Sequence, residues 1–243
     1  MSATLPFHQK TVVVTGATKG IGRAVVEKYA ASGANIVFCA RSQADVFAFE
    51  LHLKSRFPTQ QFLGRVVDMG VKPEVLAFAD HILQFSGQVD VLVNNAGLFE
   101  PGSIHTEADG VLEKLTETNV YSAYHLSRAL LPSMMLRKSG HIFNICSTAS
   151  ITAYTNGGSY CITKFALLGM TKVLREELKP YAIKVTAVLP GATYTHSWSA
   201  SDLPESRFMQ AADVADTIYC ASTLSPSAVI EEILMRPIEG DLN

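Results

Sequence analysis

A chain of 243 residues with 48% hydrophobic and 17% charged residues can bury a sizeable core, and this balance excludes intrinsic disorder. The net charge of −2 argues against nucleic acid and against anionic membrane surfaces as partners. No opening segment resembles a signal peptide, and no apolar stretch reaches the roughly 20 residues of a membrane helix. Four scattered cysteines favour a reducing compartment over a disulfide framework or a metal site. We therefore expect a cytoplasmic protein that binds no membrane and no metal.

Short β-branched runs alternate with segments of helical spacing. The runs are nearly continuous in apolar residues, which is typical of parallel strands buried on both faces. This alternation predicts an α/β fold, a Rossmann-type doubly wound parallel sheet of about seven strands with helices on both faces. The predicted strands are Thr11–Thr15, Asn35–Cys39, Gln61–Val67, Val89–Val93, His141–Cys146, Ile183–Leu189 and Ile230–Met235. The predicted helices are Gly22–Ser32, Ser42–Phe57, Pro73–Phe85, Val120–Lys138, Tyr160–Leu178 and Ala211–Thr223.

The chain shows no repeat, no low-complexity tract and no linker-like change in composition. We therefore expect residues 1–243 to form a single domain. The segment Ala192–Met209 is polar, rich in serine and aperiodic. It is predicted to be a substrate-side loop, although a plain surface connection would look the same.

A glycine-rich turn follows the first predicted strand and precedes a helix. Its sequence is Thr15-Gly16-Ala17-Thr18-Lys19-Gly20-Ile21-Gly22. Glycines allow backbone N–H groups to approach a phosphate closely, and the following helix adds the positive end of its dipole. Tight turns also recruit glycine, but the strand–turn–helix context favours nucleotide binding.

A tyrosine and a lysine lie one turn apart at the start of a predicted helix. Tyr160 and Lys164 are four positions apart, so their side chains share one face. A nearby ammonium favours the phenolate, so the pair could exchange a proton with a substrate oxygen. Such pairs also arise by chance as surface contacts.

Two polar segments directly follow predicted strands. Ser147 comes after His141–Cys146, and Asn94-Asn95-Ala96-Gly97 comes after the fourth strand. Both belong at the carboxyl edge of a parallel sheet, where ligands bind in open α/β folds. Ser147 could hold a carbonyl oxygen there or simply cap the next turn.

Together these motifs resemble the classical short-chain dehydrogenase/reductase family over nearly the whole chain. The glycine turn matches the family's T-G-x-x-x-G-I-G, and Asn94–Gly97 matches its N-N-A-G. Ser147 precedes Tyr160 by the family's usual thirteen residues, and Tyr160–Lys164 matches Y-x-x-x-K. Asn119 and the pair Pro190-Gly191 also fall at family positions.

The resemblance implies an oxidoreductase that moves hydride between a nicotinamide and a carbonyl or secondary alcohol, and it implies roles for particular residues. Tyr160 would be the general acid/base, and Ser147 would hydrogen-bond the substrate oxygen. Lys164 would hold the nicotinamide ribose and support Tyr160, and Asn119 would anchor a water in a proton relay. Asp68 would contact the adenine. The implied cofactor-binding residues are Gly16, Thr18, Lys19, Gly20, Ile21, Gly22, Arg41, Ser42, Asp68, Asn95, Ala96, Gly97, Tyr160, Lys164, Pro190, Gly191, Thr193 and Thr195.

The end of the second predicted strand predicts NADP(H) in preference to NAD(H). An acid here accepts hydrogen bonds from the ribose hydroxyls and selects NAD, but this chain has Ala40. Arg41 follows, with a guanidinium suited to a 2′-phosphate, and Ser42 offers a further donor. Lys19 lies where NADP-preferring relatives also carry a basic residue. Arg41 and Lys19 could otherwise be ordinary solvated charges.

Three further expectations concern substrate and partners. The chain ends Arg236–Asn243 without the Gly-Gly of longer family members, and the sequence does not identify its small-molecule substrate. One alternative is a 3-oxoacyl-acyl-carrier-protein reductase, for which Arg128, Arg137 and Lys138 would supply a docking patch. Another is a dinucleotide sensor without turnover. Apolar residues on several faces of Val120–Lys138 and Tyr160–Leu178 predict self-association as a dimer or tetramer.

Overall fold

Seven parallel strands form the centre of the molecule, as predicted. The computed structural model describes residues 5–195 and 202–242. The strands of this sheet are β1 (Thr11–Thr15), β2 (Asn35–Ala40), β3 (Phe62–Val66), β4 (Val91–Asn94), β5 (His141–Ile145), β6 (Lys184–Pro190) and β9 (Glu232–Met235). Across the sheet they lie in the order β3-β2-β1-β4-β5-β6-β9.

Helices cover both faces of the sheet. Successive residues of β1 explain why: Val12 and Val14 belong to one buried cluster, and Val13 belongs to another on the opposite face. The first cluster packs against α1, α2 and α7, and the second against α3 and α5. Both faces of the strand are therefore dry, which accounts for its unbroken apolar sequence. The helices are α1 (Gly20–Ala31), α2 (Gln43–Arg56), α3 (Lys72–Ser86), α4 (Val111–Thr116), α5 (Ser122–Arg137), α6 (Gly158–Leu178) and α7 (Ala211–Thr223).

The strand order reverses direction between β1 and β4. β1 pairs with β2 on one side and with β4 on the other, so the loops that leave β1 and β4 diverge and open a crevice. Ligands of open α/β sheets bind at this switch point, outside the carboxyl ends of the strands. The fold therefore places the glycine turn after β1 and the Asn94–Gly97 segment after β4 on the two walls of one crevice.

The start of the long helix predicted at Val120–Lys138 is wrong. An unpredicted helix, α4, leads into a π-helical turn over Glu117–Tyr121, and α5 begins only at Ser122. The amide of Ser122 bonds the carbonyl of Glu117, five residues back. This wider turn shifts the helical phase, so the apolar pattern does not continue from one side of the turn to the other.

The segment Ala192–Met209 is not wholly irregular. Its ends form a second, two-stranded parallel sheet from β7 (Thr193–Tyr194) and β8 (Met209–Gln210). The pairing was missed because each strand is only two residues long, too short for any periodicity. Residues 196–201 of the predicted loop lie outside the described residues. Among the described helices, none is long and apolar enough to cross a membrane.

A buried histidine begins β5. His141 is 4% exposed, and its Nε2 lies 2.8 Å from Thr186 Oγ1. The Thr186 hydroxyl donates to the carbonyl of Ile230 at 2.6 Å, so Nε2 of His141 must be the donor to Thr186. The other ring nitrogen, Nδ1, is buried without a partner among the described residues. Burial, and then the charge of Lys184, lowers the pKa of His141 to about 3.

This histidine makes stability depend on pH. The unfolded chain binds a proton near the ordinary pKa of 6.5, whereas the folded chain does not until about pH 3. The contribution of His141 to the free energy of unfolding is therefore fully present above pH 6.5. It falls as the pH drops towards 3, by up to about 1.4 kcal/mol per pH unit.

His141→Gln keeps a donor for Thr186 and removes the titration. Between pH 7 and pH 5, the free energy of unfolding in urea should fall in both proteins. We expect the fall in the variant to be about 2 kcal/mol smaller than the fall in the parent.

The exposed His105 supplies the control, because His105→Gln should keep the parental pH dependence. An unchanged pH dependence in His141→Gln would contradict the account.

Candidate active site

One cleft of about 820 Å³ runs along the carboxyl edge of the sheet. Almost all the predicted catalytic and cofactor-binding residues lie along it, and of these only Gly22 and Asn119 are absent from its lining. The predicted residues in the lining are Gly16, Thr18, Lys19, Gly20, Ile21, Arg41, Ser42, Asp68, Asn95, Ala96, Gly97, Ser147, Tyr160, Lys164, Pro190, Gly191, Thr193 and Thr195. The cleft also includes residues without a sequence signal, among them Asp45, Phe99, Tyr154 and Leu242.

The glycine turn leaves a cradle of backbone donors open to the cleft. Gly16 has a φ of +63°, and a Cβ there would lie 2.9 Å from the Cα of Ala96. A Cβ on Gly20, with φ +54°, would meet the Thr195 side chain at 3.0 Å. The first turn of α1 carries no acidic residue, and no side chain caps it. The free N–H groups and helix dipole therefore fit the pyrophosphate of a dinucleotide.

Close packing requires glycine at position 22. A Cβ at Gly22 would lie 2.5 Å from both Asn95 Nδ2 and the carbonyl of Gly16. Only glycine lets α1 approach the end of β4 this closely.

Asn95 joins the two walls of the cleft. Its Nδ2 donates to the carbonyls of Thr15 and Gly16, each at 2.9 Å. In return, Thr15 Oγ1 accepts the backbone N–H groups of Asn95 at 3.0 Å and Ala96 at 2.9 Å. The side chain of Asn95 therefore fixes the glycine turn against the end of β4.

At the far end of the cleft, the described structure leaves one guanidinium unpaired. Arg41 is exposed and makes no ion pair or hydrogen bond with any described residue. Ser42 caps α2 by accepting the N–H of Asp45 at 3.2 Å, and its hydroxyl hydrogen bonds the Asp45 carboxylate. This end of the cleft suits an anion such as a ribose 2′-phosphate.

An acid enters this end of the cleft from α2. Asp45, in the first turn of α2, lines the cleft, and its Oδ2 lies 3.1 Å from Lys19 Nζ. The hydrogen bond from Lys19, with a further one from Ser42, lowers the pKa of Asp45. The sequence motif for cofactor choice concerns the end of β2, whereas Asp45 enters the site from the helix that follows.

Lys164 is a buried cation beside Tyr160. It is 6% exposed, and its Nζ donates to the carbonyl of Ile145 at 2.9 Å. The same Nζ lies 5.7 Å from the centre of the Tyr160 ring. Phe99 packs edge-on against that ring, with centroids 4.9 Å apart. Both predicted side chains therefore lie in one pocket, with an ammonium near the phenol.

Ser147 both caps the next turn and faces the cleft, the two roles that the sequence left open. Its Oγ accepts the N–H of Ala149 at 3.1 Å, so it caps the short 3₁₀ turn Thr148–Ser150. It also lines the cleft. Because that bond uses a lone pair, the hydroxyl hydrogen remains free to donate to a ligand.

The side chain of Asn119 is buried and bonded within the fold, and it does not line the cleft. Its Oδ1 accepts the N–H of Leu98 at 2.7 Å, and its Nδ2 donates to the carbonyl of Leu98 and to Thr163 Oγ1, both at 3.0 Å. The residue is 1% exposed. Asn119 therefore ties the loop after β4 to α6, in the turn between Tyr160 and Lys164.

A carboxylate holds the beginning of α6. Glu107 accepts the N–H of Ser159 at 3.0 Å and also its hydroxyl hydrogen, and these bonds lower the pKa of Glu107. A Cβ on Gly158 would lie 2.1 Å from the carboxylate, so the contact requires glycine. Glu107 and Phe99 belong to the same loop, which therefore contacts α6 on both sides of its first turn.

The C-terminal segment contributes to the opposite wall. Asp241 lines the cleft, where its Oδ1 is buried without a hydrogen-bond partner among the described residues, and its Oδ2 accepts from Arg236 Nε at 2.8 Å. Tyr154 also lines the cleft, and although it is half exposed, its partial burial, and then Tyr160, raises the pKa of Tyr154 above its usual range. Tyr154 is therefore a neutral hydrogen-bond donor at working pH.

Asn95→Ala tests the connection between the two walls. The substitution leaves the carbonyls of Thr15 and Gly16 without their donor, which costs about 1–3 kcal/mol of unfolding free energy. We expect weaker dinucleotide binding as well, measured by calorimetry alongside urea unfolding. The isosteric Asn95→Asp should be equally damaging, because it sets an acceptor against two carbonyls. Full binding in either variant would contradict the assigned role.

Comparison with known proteins gives a consistent picture. The family model described as short chain dehydrogenase matches residues 10–205. A sepiapterin reductase of Chlorobaculum tepidum is 30% identical over 240 residues, 95% of this chain and 97% of the relative. A 3-oxoacyl-[acyl-carrier-protein] reductase of Haemophilus influenzae is 31% identical over 219 residues, 86% of this chain and 88% of the relative.

Among solved structures, a metagenomic short-chain oxidoreductase in complex with NADP superimposes with a TM-score of 0.83. It is 31% identical, and the alignment covers 96% of this chain and 98% of the other. Sequence and fold therefore agree, and the chain belongs to the short-chain dehydrogenase/reductase family.

Proposed function

We propose that the protein is an NADP(H)-dependent oxidoreductase that interconverts a carbonyl group and a secondary alcohol. The observation that carries the proposal is the sharing of one cleft by three groups: the open phosphate cradle at Gly16–Gly22, the unpaired Arg41, and the cluster of Ser147, Tyr160 and Lys164. The neighbour bound to NADP supports the choice of cofactor. We further propose that residues 1–243 act as one domain.

The residues divide the work between binding and proton transfer. A bound nicotinamide supplies or accepts the hydride. Ser147 donates its free hydroxyl hydrogen to the substrate oxygen and fixes its position. Tyr160 delivers a proton to that oxygen during reduction and removes it during oxidation. The ammonium of Lys164 stabilises the negative charge left on the Tyr160 oxygen, and its remaining N–H groups are available to ribose hydroxyls.

Asn119 contributes by holding the structure around these groups. Both side-chain N–H groups are engaged with Leu98 and Thr163, so any water that it anchors would bind an acceptor, either the second lone pair of Oδ1 or the backbone. We propose that the residue supports the proton relay in this indirect way. Asp68, Pro190, Gly191, Thr193 and Thr195 are proposed as cofactor contacts from their places in the cleft.

A reductase of carrier-bound acyl groups is the second candidate, and the H. influenzae relative supports it. The docking patch predicted for it is weak. Arg137 donates to the carbonyl of Val89 at 2.5 Å and lies 3.5 Å from Asp90, so it is engaged within the fold. Neither Arg128 nor Lys138 lines the cleft. NADPH consumption with small ketones, aldehydes, diketones and acyl thioesters separates the candidates, and steady turnover would exclude a dinucleotide sensor.

Tyr160→Phe removes only the hydroxyl. We expect turnover to fall by about 10²–10⁴-fold, because a positioned acid/base contributes this much. The NADPH dissociation constant should stay within twofold. Tyr181→Phe, at a partly exposed position outside the cleft lining, is the matched control and should keep parental activity. A Tyr160→Phe rate within tenfold of the parent would remove Tyr160 from the mechanism.

Cofactor preference follows from the unpaired Arg41 and from Ala40. Charge-assisted hydrogen bonds contribute about 1.5–3 kcal/mol each, so kcat/KM should favour NADPH over NADH by at least tenfold. The double variant Ala40→Asp, Arg41→Ile adds the acid that holds ribose hydroxyls and removes the guanidinium, and it should turn the preference towards NADH. Equal kcat/KM values for the parent would contradict NADP(H) preference.

We also propose that the protein self-associates through α5 and α6. Both helices expose large apolar side chains in the monomer: Tyr124, Leu136, Ile162, Phe165 and Val173 are each more than 40% exposed. Such residues are costly to leave in water along paired helices. Light scattering at micromolar concentration should give a dimer or tetramer, and Phe165→Glu should shift it towards monomer. A parental monomer would contradict the proposal.

A further inference from the structure

An ion pair occupies the end of the cleft that fits a 2′-phosphate. Lys19 Nζ lies 3.1 Å from Asp45 Oδ2, and both residues line the cleft. Asp45 also engages Ser42, whose Oγ accepts the Asp45 N–H. Two of the three groups predicted to bind a phosphate, Lys19 and Ser42, thus contact an acid already in the site, and only Arg41 is free among the described residues.

We propose that Asp45 is a specificity-determining residue that weakens binding of the 2′-phosphorylated cofactor and so limits the preference for NADP(H) over NAD(H). The inference rests on the proposed cofactor and concerns how strongly this chain discriminates. Asp45 would act by charge, as a competitor for Lys19 and as a like-charged neighbour of the phosphate.

The geometry confines the two negative charges to one small region. An anion that contacts Lys19 Nζ does so at about 3 Å. Asp45 Oδ2 lies 3.1 Å from the same nitrogen, so the carboxylate and the anion are no more than about 6 Å apart while the pair persists. This separation is shorter than the screening length of about 8 Å at physiological salt, and the repulsion is therefore felt in solution.

The net positive charge at this end of the cleft is small compared with the two negative charges of a phosphate dianion. Arg41 and Lys19 contribute two positive charges and Asp45 one negative charge. Because Lys19 holds the pKa of Asp45 below its ordinary value, the carboxylate stays ionised at neutral pH. NADH has no phosphate here and is insensitive to this balance. Asp45 should therefore affect the two cofactors differently.

The test is Asp45→Asn, with dissociation constants for NADPH and NADH measured in the absence of substrate by nicotinamide fluorescence. We expect NADPH to bind about three- to tenfold more tightly, the range for charge interactions of partly exposed groups. NADH should bind within twofold of the parent. The variant should also bind adenosine 2′,5′-bisphosphate more tightly than the parent does, and by the same factor as NADPH. Its affinity for 5′-AMP should be unchanged. The gain should shrink as salt is raised.

Asp216→Asn is the matched control. Asp216 forms a comparable exposed pair with Lys28, at 2.6 Å, between α7 and α1 and outside the cleft lining. Its substitution removes the same charge from the protein and should leave both dissociation constants unchanged. Equal tightening of NADPH in this variant would mean that net charge alone is responsible, and would overturn the proposal.

Two other outcomes also overturn it. Weaker NADPH binding in Asp45→Asn would mean that Asp45 positions Lys19 for the phosphate. An unchanged ratio of the two dissociation constants would mean that Asp45 does not influence the phosphate. Failure of the proposed cofactor is a separate result, because it would appear in the parent as equal binding of NADPH and NADH.

Discussion

The buried ammonium of Lys164 is the constraint on which the arrangement of the site depends. A cation that is 6% exposed must have partners, and the carbonyl of Ile145 at the end of β5 supplies one at 2.9 Å. This bond fixes α6 against the carboxyl end of the sheet. Tyr160, one turn earlier on α6, is thereby placed in the same cleft as Ser147, which follows β5.

Polar side chains inside the core strengthen this arrangement. Asn94, at the end of β4, donates to Ser127 of α5 at 3.0 Å and to Asn144 of β5 at 2.8 Å. Asn144 in turn donates to Thr171 of α6 at 2.9 Å. Hydrogen bonds between buried side chains require close alignment of donor and acceptor, so this chain of bonds restricts two helices and two strands to one mutual position. Together with Asn95, it joins the nucleotide-binding half of the cleft to the proton-transfer half.

Much of the fold could be predicted from the sequence, because burial on both faces gives each strand a continuous apolar run. The run of three valines in β1 illustrates this, and the predicted strands and sheet class are confirmed. The boundary of α5 could not be predicted, since the π turn at Glu117–Tyr121 changes the phase of the helix. β7 and β8 are too short to carry a pattern.

Most residues of the candidate site could also be named from ordered motifs, and the structure brings nearly all of them to one cleft. The spacing of residues in a motif does not reveal which way a side chain points. Asn119 was expected in the site, but its side-chain amide bonds Leu98 and Thr163 and does not line the cleft. Asp45 was missed for a related reason. It reaches Lys19 only because α2 begins beside the glycine turn, a contact between elements that no local pattern records.

The most direct test of the account is the replacement of Lys164 by methionine, which keeps the length of the side chain and removes its charge. The variant loses the bond to the Ile145 carbonyl but no longer buries a charge, and urea unfolding checks that it is folded before its activity is measured. The account predicts that NADPH binds at least about tenfold more weakly and that turnover falls by about 10²-fold or more. A Lys164→Met variant that binds NADPH as the parent does, and turns over within tenfold of it, would contradict the account.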